Sequence, residues 1–239
     1  MSLLQLPNEL QFIIARCLLG QKEIGCLMRT NKRLYHLLRP FLLHFNVEYD
    51  QSSALIWAAK NGATSLIKEL LDIGSSIASF EPELTDPSYD ALSVNNNPLL
   101  HAAQNGHIDT LQSMLSETRT DKACVPSQLR TVLHWAIRSS NSEMVELMIT
   151  QNAPFDPSGR PMDESNALSI AITSSSTSII KRLLQAGAQT TDEASPNLFD
   201  EVSTRERRDV LGLLLEYDQM SDYDQFICWL TYNAWMAEP

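Results

Sequence analysis

The side chains able to do chemistry in this chain are few and dispersed. The histidines are His36, His44, His101, His107 and His134, and the cysteines are Cys17, Cys26, Cys124 and Cys228, spread over 239 residues. A general base needs an orienting partner and a pocket, and no Ser, His and Asp stand at a spacing known to build a nucleophilic set. Metal-ligand spacing of Cys and His is missing, as is any CxxC pair. The eight glycines are not clustered, so no phosphate-cradling loop is present. The cysteines fall in apolar or helical surroundings, which predicts buried, reduced thiols. His101 alone invites a catalytic reading, because it holds a place that similar lines of the sequence fill with Trp57, Trp135 and Ile170. No catalytic residue, metal site or cofactor is expected; the alternative is an enzyme with a small-molecule site near His101.

Those similar lines define what must position any site. Thr131-Val132-Leu133-His134-Trp135-Ala136-Ile137 runs on to Val145, Leu147 and Met148, and Ser53-Ala54-Leu55-Ile56-Trp57-Ala58-Ala59 runs through Gly62 to Leu66, Ile67, Leu70, Leu71 and Gly74. Asn97-Pro98-Leu99-Leu100-His101-Ala102-Ala103 and Asn166-Ala167-Leu168-Ser169-Ile170-Ala171-Ile172 continue in the same way. Residues 54, 98, 132 and 167 correspond, so two of the three steps are 34 and 35 residues. Each line predicts a short helix, a turn and a second helix. The leading Ser, Asn or Thr can cap the first helix, and Pro98 loses no useful donor there. Ala pairs let two helices approach, Gly62 and Gly106 serve the turn, and the Leu and Ile of the second helix face a neighbouring unit, because one unit cannot bury its own apolar surface.

Four such lines in phase, at a step near 33 residues, resemble ankyrin repeats. The resemblance implies an all-α ankyrin-repeat solenoid over residues 45–219, about five units with the last, Asn197 to Gln219, degenerate. It implies that His134, in the Thr-Pro-Leu-His place, bonds to local backbone and to the Thr131 hydroxyl, and that His107 holds the Gly-His turn place. It also implies a groove that selects a target protein. The polar positions after each Ala pair are its expected contacts: Lys60 and Asn61, Gln104 and Asn105, Arg138 and Ser139, Thr173 and Ser174. The insertion between Gly74 and Asn97, with Glu81, Glu83, Asp86 and Asp90 and no basic residue, would be a long acidic finger, either a contact for a basic partner or a solvated, partly disordered loop. Residues 220–239 are expected to form a C-terminal capping helix, over about 222–236 after Ser221, with Tyr223, Phe226, Ile227 and Leu230 on one stripe and Trp229 and Tyr232 beside it.

Residues 1–44 have a different pattern. Leu6-Pro7-Asn8-Glu9-Leu10 opens a helix with Leu10, Ile13, Ile14, Cys17 and Leu18 at helical spacing, ended by Gly20. Lys22 to Met28 forms a second, and Arg33 to Leu43 a third, with Leu34, Leu37, Leu38 and Leu42 inward and a kink or split at Pro40; Phe45 to Gln51 joins it to the first repeat. Beginning Leu-Pro-x-Glu-Leu and ending Asn31-Lys32-Arg33-Leu34-Tyr35, this segment resembles an F-box, and proteins pairing such a segment with ankyrin repeats are similar to a common fungal type. The resemblance implies a Skp1-like adaptor protein as partner, contacted by Leu6, Pro7, Leu10, Ile14 and Leu18, and so a substrate receptor of a Skp1-cullin-type ubiquitin ligase. The alternative is a binding scaffold in which these helices only cap the array.

Charge narrows the partner class. The formal net charge is -11, yet residues 1–44 carry +4, which leaves -15 on residues 45–239. An acidic array argues against nucleic acid, which needs clustered Lys and Arg. No apolar run approaches the roughly 20 residues of a membrane span, and Arg16 cuts the run Phe12-Ile13-Ile14-Ala15, so no secretory signal is expected. The reading is a soluble monomer of the cytoplasm or nucleus.

Overall fold

The computed structural model describes residues 3–18, 20–50, 52–77, 97–116, 126–155, 167–174, 177–188 and 208–217. Among them all regular structure is helical, a 3-10 turn at Leu3–Gln5 and twelve α-helices. The chain divides into two compact units, residues 1–124 and 125–239.

The first unit opens with α1 (Asn8–Arg16), α2 (Gln21–Arg29) and α3 (Lys32–Tyr49). Asn31, extended and just outside α3, accepts the Arg33 N–H at 2.8 Å and starts that helix. The three helices close on a core of Ala15, Ile24, Met28 and Leu38, flanked by Phe12, Leu18, Leu37 and Phe41. Phe12 and Phe41 meet edge to face at 6.4 Å, a favoured aromatic geometry. The expected kink or split at Pro40 does not divide the helix: α3 runs through Pro40 to Tyr49, so most of the joining stretch is helical. Pro40 forfeits one backbone bond, while Phe41, Leu42 and Phe45 beyond it pack on the same core and keep the helix going.

Two helical hairpins follow, α4 (Ser53–Asn61) with α5 (Thr64–Ile73), and α6 (Pro98–Gln104) with α7 (Ile108–Ser116). α4 packs beside α6 and α5 beside α7. Leu55, Ala58, Ala59, Ile67, Leu70 and Leu71 of the first hairpin are buried, as are Leu99, Leu100, Ala102, Ala103, Leu111 and Met114 of the second. The Thr64 and Thr110 hydroxyls join α5 to α7 at 2.7 Å. The turn glycines behave as read, with φ +66° at Gly62 and +72° at Gly106.

The second unit repeats the plan with α8 (Pro126–Arg138), α9 (Ser142–Thr150), α10 (Ala167–Ser174), α11 (Thr177–Gln185) and α12 (Arg208–Glu216). α8 packs on α10, α9 on α11, and α12 on α11, where Thr177 bonds the Asp209 carboxylate. Val210, Leu211 and Leu214, expected in the degenerate last unit, are buried on α12. In the third repeat non-glycine residues take the left-handed places: Ser140 (φ 53°) stands where Gly62 and Gly106 stand, and Asn152 (φ 57°) where Gly74 stands.

The caps differ from the sequence reading. Among the described starts of first helices only Asn97 caps its own, accepting the Leu100 N–H at 2.9 Å. Thr131 lies inside α8, which begins earlier at Pro126, and its hydroxyl donates to the Ser127 carbonyl at 2.8 Å. Ser53 lies inside α4. Residues 78–96 of the acidic finger, Asn166, most of the fifth unit and the helix at about 222–236 lie outside the described residues. Cys17 and Cys26 are free and exposed rather than buried, because both sit on the outer sides of the N-terminal helices; Cys124 and Cys228 are not among the described residues.

Candidate functional site

The N-terminal helices present an apolar ridge. On α1 the buried residues are Gln11 and Ala15, and α1 packs on α3. The opposite face leaves Leu10 44% and Ile13 55% exposed, with Pro7 and Cys17 also exposed along the same side. Of the five residues expected at an adaptor, Pro7 and Leu10 lie on this ridge, while Leu6, Ile14 and Leu18 are half-buried at its edges. Ile13 was expected only as one of the helix's apolar positions and is its most exposed large one. The strand of chain leading into the ridge is tied down. The Gln11 amide donates to the carbonyls of Leu3 (3.2 Å) and Leu6 (2.9 Å), and the Arg33 guanidinium donates to the Leu4 carbonyl (3.0 Å) and the Asn8 side chain (2.9 Å). Pro7 is therefore held in place by groups on α1 and α3.

The same helices are joined to the first repeat by a polar junction. At the start of α4, Ser52 adopts a left-handed backbone (φ 56°) and offers no side-chain cap. Asn46 of α3, only 2% exposed, supplies one instead: its carbonyl oxygen accepts the Ala54 N–H at 3.1 Å, and its amide donates to Ser53 (2.9 Å) and Asp50 (3.3 Å). This is a cap made across two helices. Ser53 and Gln21 also bond the Asp50 carboxylate, and Arg39 of α3 pairs with Glu69 of α5 at 2.7 Å.

The expected groove residues lie on the first helices of the hairpins and the turns after them. Lys60, Asn61, Gln104, Asn105, Arg138, Ser139 and Ser174 are exposed and Thr173 half-buried. Trp57, expected at an apolar site between repeats, is 57% exposed. Its counterparts His101 and Trp135 are half-buried and Ile170 is buried. The first helices α4, α6, α8 and α10 contain Lys60, Arg130 and Arg138 and not one Asp or Glu. The acidic residues of the described repeats, among them Glu69, Asp72, Asp109, Glu143 and Glu146, lie on second helices.

Two of the histidines, His134 and His107, bond within the scaffold. His134 bonds the Phe155 backbone, not Thr131, whose hydroxyl is spent on Ser127. Burial, with help from the positive charges of Arg130 and Arg138, pushes its imidazole down from 6.5 to about 4, so it is neutral near pH 7. Its Nε2 is buried and has no partner among the described residues. His107 Nε2 donates to the Lys60 carbonyl at 3.2 Å across the repeat boundary, and its ring lies against Gly62, where an added Cβ would come within 2.7 Å of Nδ1. An open polar depression of about 470 Å³ is lined by Thr64, Lys68, Asp109, Gln112, Ser113 and Ser116 of α5 and α7, not by His101. Among the described residues no three His, Cys, Asp or Glu could hold a metal ion, and no helix is long and apolar enough to cross a membrane.

Known proteins agree with the helical pairs. The family model described as ankyrin repeats (3 copies) matches residues 26–125, 55–160 and 99–194. The "Transient receptor potential cation channel subfamily A member 1 homolog" of Caenorhabditis elegans is 26% identical over 175 residues, covering 72% of this chain and 13% of that protein. The chain thus spans about an eighth of the length of this curated relative, and no solved structure matches. With stacked two-helix units in each half, left-handed turns at the repeated places and family matches running from 26 to 194, the chain belongs to the ankyrin-repeat family.

Proposed function

We propose that this ankyrin-repeat chain, a protein-interaction module, is a recruiting receptor: the repeats hold a target protein, and α1–α3 dock on a Skp1-type adaptor of a cullin ubiquitin ligase. The ridge of Pro7, Leu10 and Ile13 carries this reading. Large apolar side chains at one-turn spacing, left in water on a helix whose other side is buried, fit a partner rather than an internal core. The duty of covering the first repeat falls to α3, through Asn46 and the Arg39–Glu69 pair, which leaves α1 available. Leu6, Ile14 and Leu18 would line the edges of the contact, and Arg16 and Lys32 would steer an acidic adaptor. Lys60, Asn61, Gln104, Asn105, Arg138, Ser139, Thr173 and Ser174 would meet the target. No catalytic step is required of the chain, which would act as a monomer in the cytoplasm or nucleus.

The test is the double substitution Leu10→Ser with Ile13→Ser. Neither side chain is buried, so stability should move by no more than about 0.5 kcal/mol each, while co-purification of a Skp1-type protein is lost. If the unaltered chain captures no such adaptor, the receptor reading fails. The second reading then stands, a binding scaffold capped by its N-terminal helices, and the observation favouring it is the packing of α3 on α4 and α5.

A further inference from the structure

The exposure of Trp57 and the placement of charge lead past the choice between receptor and scaffold. In a chain of net charge -11, the four first helices hold no carboxylate at all. Two of the three cations they hold, Lys60 and Arg138, stand at one repeat place, with Gln104 and Thr173 filling that place in the other two units, while Arg130 lies two turns earlier on α8. Lys60 and Arg138 are both exposed. In the first unit Lys60 lies one turn along α4 from Trp57, so the two share a side of the helix. Beside them α6 contributes His101 and Gln104, and Asn105 follows at its C-terminal cap.

We propose that this face of the first unit, Trp57 with Lys60 on α4 and Gln104 and Asn105 at the end of α6, takes an acidic segment of a partner protein that lays an aromatic or aliphatic side chain on Trp57. The inference rests on the reading of the chain as an interaction module and names the chemistry of its partner. An exposed tryptophan beside polar, hydrogen-bonding neighbours is the usual composition of an interface anchor. Gln104 supplies an amide donor and acceptor for an extended backbone, and Asn105, whose amide donates to the His101 carbonyl at 2.8 Å, adds its side-chain oxygen as an acceptor. Lys60, with no opposing carboxylate on α4 or α6, favours Asp and Glu beside that anchor. The overall negative charge does not defeat this, because charges farther away than about 8 Å are largely screened at physiological ionic strength. A nucleic acid fits less well, since a polyanion needs several clustered cations and α4 and α6 offer Lys60 alone.

The experiment selects random short peptides displayed on phage against the full chain, then measures the best synthetic peptide by fluorescence anisotropy. Acidic peptides with an aromatic or aliphatic residue should be enriched. Trp57→Ala should weaken the peptide about 30-fold or more, the cost expected of an anchor, and Lys60→Glu about tenfold through like-charge contact, whereas Lys60→Arg should leave it unchanged. Unaltered melting curves for these exposed positions exclude misfolding. Enrichment of neutral or basic peptides, or acidic peptides indifferent to Trp57 and Lys60, overturns the inference; so does displacement of the peptide by a single-stranded oligonucleotide that itself depends on Trp57. No enriched peptide together with retained adaptor capture overturns it alone, and loss of both removes the interaction reading as well.

Discussion

Replacing Asn46 by Ala should damage the protein more than any ordinary helix cap. In the folded chain this nearly buried amide accepts the Ala54 N–H at 3.1 Å and donates to Ser53 at 2.9 Å and Asp50 at 3.3 Å. Each such bond is worth about 1 kcal/mol net, and a buried group left unpaired costs about 1–3 kcal/mol. Ser53 and Asp50 still bond each other in the variant, so the main loss is the Ala54 N–H, which Ser52 cannot replace because its side chain makes no cap bond. The expected destabilisation is about 2–4 kcal/mol. Asn31→Ala, which removes a single cap bond at the start of α3, should cost about 1 kcal/mol and serves as the comparison. Urea unfolding followed by far-ultraviolet circular dichroism measures both, and hydrogen exchange reports the Ala54 amide directly. The double variant Asn46→Ala with Ser53→Ala should cost less than the sum of the singles, because both act through one network. An Asn46→Ala protein within about 0.5 kcal/mol of the parent, with Ala54 still protected, would refute the argument that α3 caps α4.

Two further outcomes follow from the second unit. His134 is held down to about 4 from 6.5, so the unfolded chain takes its proton first as the pH falls: stability from this group is full above about pH 6.5, declines by up to about 1.4 kcal/mol per pH unit toward pH 4 and is flat below, a loss of about 3 kcal/mol in all. In His134→Gln the part of the unfolding free energy that falls between pH 6.5 and 5 should flatten relative to the parent, and parallel curves would contradict the assignment. Ser140→Gly should raise stability by about 0.5–1 kcal/mol, because the left-handed backbone at φ 53° costs a side chain more than glycine loses in chain entropy; a lowered thermal midpoint would show that the serine is held by something else.

The repeat plan was legible because burial imposes the same apolar places on every unit: Leu55, Leu99, Leu133 and Leu168 correspond in the sequence and are all buried. Local chemistry was legible where it stays within one turn, as at Asn97. It failed where a partner comes from another helix. Nothing in the run Phe45 to Gln51 marks Asn46 as the cap for α4, since a remote acceptor leaves no periodic signal. Thr131 misled for the opposite reason, a good capping residue overtaken by an earlier helix start at Pro126. In the candidate site, the surplus of apolar residues on α1 was visible, but which of them face water depends on where α3 packs, and Ile13 rather than Ile14 proved the more exposed. The exposure of Trp57 likewise depends on what stands beside α4, where the neighbouring repeat offers the smaller His101.

The contact of His107 with Gly62 makes the order of these repeats directional. A hairpin that precedes a histidine at this turn must carry glycine, since a Cβ there would fall 2.7 Å from the ring. The third repeat carries Ser140 at that turn, and the repeat after it has Ser176, not histidine, at the place of His107. A hairpin of the Ser140 kind therefore could not be spliced ahead of the second repeat without moving the imidazole, although the reverse exchange meets no such obstacle. Exchange of hairpins is then asymmetric: the first hairpin can stand ahead of either kind of repeat, whereas the third fits only ahead of a repeat without a histidine at that turn.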